Sequence, residues 1–457
     1  MRRRQFIGFL VFSISLVFVS LQPLLAAEAT WKVGIASAKI TPGKAIWQAG
    51  YGSRDRPAEG TLHDLWIKVL ALEAANGDRA VVLTSDVLGF PKNMYDSICA
   101  ELKTRCGLDR SQIMLTASHT HSGPVLKGAL YDIYPLDDSQ IALIEEYSQE
   151  LEKTIIETIV KAFGQQSPAT LWAGEGMTDF AVNRRNNPQA QVRELRAKGE
   201  PLKGPVDHGV AVLAVRGPDD NLRAVVFGYA CHATTLGLYQ WSGDYPGFAQ
   251  IALEQDFPGA VAMFHAGCGA DQNPLPRRSI ALCGKYGFTL ADAVQETLKK
   301  PMRPIAPRLG TALELVELDF EKTLSREDLE AGLKKNIYYK RRAERLLKQL
   351  DEGQSFAPSY PYPVQVWKLG DEQLWITLGG EVVVDYSLRF KAKYGPQTWV
   401  TGYSNDVMSY IPSHRVWEEG GYESAAFYVY GQPADRWAPE IEERIAASVG
   451  RLVETLD

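Results

Sequence analysis

Ile113-Met114-Leu115-Thr116-Ala117-Ser118-His119-Thr120-His121-Ser122-Gly123-Pro124 begins as a short apolar run and ends in two histidines one residue apart. The apolar run reads as a buried strand. The strand is expected to end at His119; side chains alternate along a strand with period two, so both imidazoles lie on one side and Thr120 faces away. Two of the chain's seven histidines would then share one point in space. One ring could ligate a metal while the other handles a proton.

Working outward, strand-like and helix-like segments alternate. Residues 80–83 read as a buried strand and 91–106 as a helix with proline near its start. Beyond the histidines, 139–163 is a long amphipathic helix. Residues 210–215 and 223–231 form paired strands around the turn Gly217-Pro218-Asp219-Asp220-Asn221. Helices follow at 247–255 and 288–298, strands at 260–264 and 313–318, and a long charged helix at 325–350. Residues 375–378 are a strand running through Gly379-Gly380-Glu381 into a helix. A strand at 398–403 and a helix at 440–456 close the chain. This order predicts an α/β fold, a mixed β-sheet core layered with helices, in one large domain over 30–457. The proline-rich stretch 356–363 reads as a surface loop within it.

Composition narrows the function. The formal charge of −6 leaves no basic excess for a nucleic-acid backbone. The Lys- and Arg-rich run at 334–348 is interleaved with acidic residues and reads as a solvated helix face. Arg2-Arg3-Arg4, an apolar stretch to Leu25 and then Ala26, Ala27 and Ala29 follow the order of a secretory signal. Arg3-Arg4-Gln5-Phe6-Ile7 approximates the twin-arginine form. Residues 1–29 are therefore expected to direct export, periplasmic or secreted. Five cysteines in an exported chain suggest disulfides. Cys99 with Cys106 and Cys268 with Cys283 are the expected local pairs, with Cys231 a buried thiol.

Other residues could complete the chemistry. His232 ends a strand and precedes Ala233-Thr234-Thr235; Glu381 follows two glycines. Zinc needs three or four converging donors, and two histidines with a carboxylate at strand-to-loop junctions meet that need. Asp86, Asp244 and Asp271 lie at similar junctions, to orient the ligands or hold a second metal. No Gly-x-Ser-x-Gly marks a serine nucleophile and no glycine-rich phosphate loop occurs.

Taken together the motifs resemble the catalytic domain of the neutral, non-lysosomal ceramidases. They are Val33-Gly34-Ile35-Ala36-Ser37-Ala38-Lys39-Ile40-Thr41-Pro42, His119-Thr120-His121-Ser122-Gly123-Pro124, Asn183-Arg184, His232-Ala233-Thr234, Gly380-Glu381 and the span from Tyr410 to Tyr422-Glu423. The resemblance implies a zinc-dependent amidohydrolase acting on ceramide or a related lipid amide, with one zinc per chain. It implies His119, His232, Glu381 and Tyr410 as zinc ligands and His121 as the group managing the proton of the attacking water. Arg184 and Tyr422 would orient the substrate and polarise its carbonyl. Two departures stand out. Gly269-Ala270-Asp271-Gln272-Asn273-Pro274 places Asp271 where the family has serine, which suggests a proton-handling or ligand role for Asp271. The family's C-terminal β-sandwich, with any membrane docking it provides, is expected to be missing. The remaining readings are a hydrolase of this fold acting on another envelope amide or ester, and a non-catalytic lipid- or glycan-binding protein. A small-molecule or lipid amide partner, peripheral membrane contact and no nucleic acid complete the expectation.

Overall fold

The computed structural model describes residues 30–457; the expected export signal lies outside them. The strand Ile113–Ala117 is buried at every position. It pairs in parallel with Arg79–Ser85, Leu83 opposite Leu115. Parallel neighbours need a crossover, and the helix Lys92–Cys106 supplies it, ending at Gly107 with φ 70.

The main sheet has nine strands. Its path runs Val261–Ala266, Leu222–Tyr229, Gly209–Arg216, Ser167–Met177, Trp31–Lys39, Trp66–Glu73, Arg79–Ser85, Ile113–Ala117. Arg303–Ile305 pairs with Ser167–Met177 off this path. The pairs at the two ends are parallel, and every pair between them is antiparallel. Twist accumulates across so many strands, and the two ends meet: Val261–Ala266 packs against Arg79–Ser85 and Ile113–Ala117. Lys68 spans the join, donating to Glu254 Oε1 at 2.7 Å and to the Ala262 carbonyl at 2.8 Å.

A second sheet, Leu309–Asp319, Ser359–Leu369, Gln373–Leu378 and Trp399–Thr401, also ends in a parallel pair. It is tied to the first. Gln365 and Trp367 donate to the Ser111 carbonyl at 2.9 and 2.8 Å. Single bridges join Thr116 to Ser404 and Gly267 to Thr401. Trp367, Trp375, Trp399 and Met114 fill the space between. Three parallel pairs therefore deliver their C-terminal ends to one place, where α/β sheets characteristically bind ligands.

Helices cover the remaining faces. Asp138–Gly164 buries Ile144, Leu151, Ile155, Ile159 and Ala162, a helical stripe laid on Trp31–Lys39 and Trp66–Glu73. Each such aliphatic contributes roughly 1.5–3 kcal/mol by burial. Gly34 permits the close approach, since a Cβ there would stand 1.8 Å from the Ala162 carbonyl oxygen.

Several expectations are corrected. The helix expected at 325–350 is two, Arg326–Gly332 and Ile337–Asp351, because Asn336 caps the second through the N–H groups of Tyr338 and Tyr339. A side-chain acceptor competing with the helix backbone ends one helix and starts another. The proline-rich 356–363 is no loop from Ser359 onward but the start of the strand Ser359–Leu369. Before Val364 that strand has a neighbour on one side only, an edge position that tolerates proline. Neither expected disulfide forms: all five cysteines are free thiols. Cys99 and Cys106 lie on one helix, where seven residues span about 10 Å, beyond a disulfide's reach. Cys283 points at Asp244, whereas Cys268 is buried in the core of the second sheet. Among the described residues no helix is long and apolar enough to cross a membrane.

Candidate metal centre and substrate cleft

The strand stops at Ala117, so strand alternation is not what aligns the two histidines. His119 turns the chain instead, at φ 56, a left-handed conformation costing a non-glycine residue about 1–3 kcal/mol. Surrounding bonds hold the turn. Thr120 Oγ1 donates to the Ser242 carbonyl at 2.7 Å and accepts from Ser122 N–H at 3.2 Å. His119 Nδ1 lies 2.7 Å from the Leu88 carbonyl and its Nε2 lies 3.3 Å from His121 Nε2. His121 rests on the Tyr51 ring, centroids 4.7 Å apart, and Arg54 donates to its carbonyl at 2.8 Å. Gly50 makes room at φ 102; a Cβ there would stand 2.4 Å from the imidazole Cγ.

His232 arrives from the opposite end of the sheet, just past Leu222–Tyr229. Its Nδ1 lies 2.7 Å from the Gly269 carbonyl, and its ring is 4.9 Å from that of His119. Glu381 does not open a helix as its sequence position suggests. It begins a two-residue strand, Glu381–Val382, paired in parallel with Tyr410–Ile411 so that Glu381 stands opposite Tyr410. That pairing sets the expected carboxylate and tyrosine side by side. Glu381 Oε2 lies 3.2 Å from His119 Nε2 and 3.1 Å from His232 Nε2. The Tyr430 hydroxyl donates to Oε1.

These groups fit a metal ion. The ligating atoms of His119, His121 and His232 lie within 4.8 Å of one another. His232 Nε2 and Glu381 Oε2 are buried without a hydrogen-bond partner. Because Nδ1 of His119 and of His232 faces a carbonyl, the proton belongs there and the Nε2 lone pair is presented to the centre. Burial pushes His232 down to about 4, aided by Arg184. Burial and the two neighbouring imidazoles hold His121 well below the ordinary histidine range. Burial alone would raise the Glu381 carboxyl, but His119 and His232 hold it well below the usual range. Imidazole nitrogens beside a carboxylate are the donor set zinc takes.

Arg184 and two tyrosines form a wall beside this cluster. Ala181–Asn183 pairs with Gln272–Pro274 and delivers Arg184 to Glu423 Oε1 at 2.8 Å and the Tyr410 hydroxyl at 3.3 Å. Against the pull of burial, Tyr410 and Glu423 keep the guanidinium firmly protonated. Tyr422 packs on Tyr410 at 5.2 Å. Asp271 is placed apart from the reacting groups: its Oδ1 accepts the Val384 N–H at 2.9 Å and its Oδ2 accepts from Asn183 Nδ2 at 3.0 Å. Both oxygens are committed to bracing, because Asp271 sits where the Glu381 loop and the Arg184 ribbon must be joined. These two bonds give Asp271 a bracing place between the two elements. Asp244 likewise accepts the N–H groups of Thr235, Leu236 and Tyr245, and Asp86 that of Trp66.

Three contributors carried no sequence signal. Tyr430 touches Glu381, Tyr51 supports His121, and Tyr403, at φ 53, lies 4.3 Å from the His119 ring. Each is one tyrosine among twenty, with no spacing to distinguish it. An open cleft of about 600 Å³, lined by Arg184, Asn273, Tyr422 and Glu423 among others, reaches this wall and stops short of the imidazoles.

A histidine–carboxylate cluster of metal-binding geometry, set where strand ends converge and faced by an arginine–tyrosine wall, defines the class of site. The chain belongs to the neutral/alkaline non-lysosomal ceramidase family, whose N-terminal model matches residues 31–269. It is 26% identical to the neutral ceramidase of Pseudomonas aeruginosa over 275 residues. That match covers 57% of this chain and 40% of the relative. The crystal structure of the neutral ceramidase from Pseudomonas aeruginosa superposes with TM-score 0.69 at 18% identity, over 93% of this chain and 74% of the other. A structure described as a ceramidase complexed with C2 gives TM-score 0.70 at 17% identity, with the same coverage. At these identities the likeness establishes the fold.

Proposed function

We propose that this chain is an exported, zinc-dependent amidohydrolase that cleaves the N-acyl amide of ceramide or a related lipid. The observation carrying the proposal is the pair of buried, partnerless atoms, His232 Nε2 and Glu381 Oε2, that face each other beside His119 Nε2. His119, His232 and Glu381 would hold one zinc ion, with the Tyr410 hydroxyl as the fourth protein donor. A bound zinc supplies positive charge that acidifies water and polarises a carbonyl. His121 is assigned to the proton rather than to the metal. Unlike the other two imidazoles its Nδ1 has no carbonyl partner, so its tautomer is not fixed.

In the reaction His121 takes a proton from the attacking water as the water oxygen bonds to the amide carbon. It returns that proton to the nitrogen as the carbon–nitrogen bond breaks, releasing fatty acid and amine. Arg184 and Tyr422 donate to the carbonyl oxygen as charge develops on it. Asp271 positions this wall through Asn183 and the Glu381 loop through Val384.

Release of fatty acid from a short-chain ceramide, measured on zinc-loaded and chelator-stripped protein side by side, tests the reading. Zinc-dependent release is expected. No release from protein shown to contain stoichiometric zinc would move the substrate elsewhere, and no zinc uptake would overturn the metal assignment itself.

A further inference from the structure

Next to the cleft, touching its lining residue Gln189, the loop after Asn273 carries a second pair of arginines. Arg184 and Arg185 are matched by Glu423 and Glu419. Beside them, Arg277 and Arg278 have no carboxylate at ion-pair distance among the described residues and spend their bonds on neutral oxygens. Arg277 Nε donates to Gln189 Oε1 at 2.9 Å and its Nη1 lies 3.5 Å from the Thr234 carbonyl. Arg278 Nη1 donates to the Leu236 carbonyl at 3.0 Å. Arg278 also reaches the Tyr51 hydroxyl, another neutral oxygen. Burial works against the charge on Arg277, as do Arg278 and Arg184, while Tyr51 and Asp244 support it. This concentration of unmatched cations occurs in a chain whose formal charge is −6.

Their position relative to the chemistry is set by contacts. Thr234, under Arg277, donates to Asn273 Oδ1 at 3.3 Å, and Arg184 Nη1 lies 3.5 Å from the same oxygen. Arg278 lies over the Tyr51 ring at 4.5 Å, and that ring carries His121. One arginine thus connects to the carbonyl-polarising wall and the other to the proton-handling imidazole. Arg278 is held at φ 86 with its N–H on the Thr235 carbonyl at 2.7 Å, so the loop fixes it in a costly conformation. Paired guanidiniums recognise carboxylate and phosphate oxygens.

We propose that Arg277 and Arg278 bind an anionic group on the substrate, so that the preferred substrate is an N-acyl amide carrying a carboxylate or phosphate near the scissile bond. This rests on the amidohydrolase reading and specifies its substrate class.

A matched set of amides tests it: N-hexanoylethanolamine, its phosphate ester and N-hexanoylglycine, assayed with the zinc-loaded full chain. The phosphate and glycine arms distinguish the two anion sources. At least one is expected to exceed the neutral amide about tenfold or more in kcat/KM, as a charge-assisted contact supplies. In R277Q/R278Q that ratio should fall at least tenfold, and in R277K/R278K it should largely survive. Equal kcat/KM for neutral and anionic amides, or a ratio unmoved by R277Q/R278Q, overturns the proposal. If no amide is cleaved, the activity reading has failed by itself. Calorimetric binding of N-hexanoylglycine then decides the anion site: at least tenfold weakening in R277Q/R278Q supports it, and absent or unweakened binding overturns it.

Discussion

On one side of the cleft, His119 and His232 each meet a single backbone carbonyl, that of Leu88 or Gly269, and both rings are buried at 1% exposure. On the other side, Arg184 is held by side chains, Glu423, Tyr410 and Asn273, and Tyr422 is 47% exposed. Backbone anchors move only with the sheet, whereas side-chain anchors re-form one rotamer at a time. The contrast divides the labour: a rigid seat suits a metal with strict geometry, and an adjustable wall suits a carbonyl that must enter, react and leave.

The largest effect should come from removing a backbone-anchored imidazole. His119→Ala is expected to lose most bound zinc and, with it, hydrolysis; full zinc content by atomic absorption would exclude His119 as a ligand. His121→Ala should divide the two roles, keeping zinc while hydrolysis falls by about 10² to 10⁴, the usual range for acid–base groups. Unchanged turnover would remove His121 from the proton path. On the arginine side, Glu423→Gln leaves Arg184 without its ionised partner. A fall in kcat/KM of roughly ten- to a hundredfold is expected, with zinc content retained; loss of zinc would show that the two walls are not separable. The smallest effect is on stability. Burial raises the Asp406 carboxyl to about 7 and the Asp86 carboxyl to about 6. A carboxyl raised in the folded state favours folding when protonated, fully so below its unfolded value and less as pH rises through the folded one. Denaturant titrations between pH 5 and pH 8 should therefore show a fall that Asp406→Asn makes shallower by on the order of 1 kcal/mol. An identical slope in the variant would place the ionisation elsewhere.

How much the sequence disclosed follows the same division. The histidine side was legible because His119, His121 and His232 follow apolar strands whose ends could be read from composition alone. The arginine side was named by resemblance only, since nothing about Tyr410 or Tyr422 as spacing points to a cleft. The parallel pairing of Glu381 with Tyr410 depends on contacts no local pattern encodes. The helix break at Asn336 and the prolines of Ser359–Leu369 were misread for a related reason. A side-chain cap and an edge position are tertiary facts. The bracing bonds of Asp271 were not legible, because a carboxylate in a loop looks the same whether it faces a substrate or two N–H groups of its own chain.

The meeting of the sheet's two ends also dictates when the site comes into being. The bond from Leu115 N–H to Asn405 Oδ1 spans 290 positions, and that from Arg184 to Glu423 spans 239. Contacts so distant in sequence form late, after shorter loops have closed. A growing chain that has reached His232 holds the three clustered imidazoles but neither Glu381 nor Tyr410, so on the proposed ligand set tight zinc uptake awaits nearly the whole polypeptide. Under the proposed zinc assignment, metal capture would be a clock for the last folding step, and zinc added during refolding should be taken up at the rate of that closure.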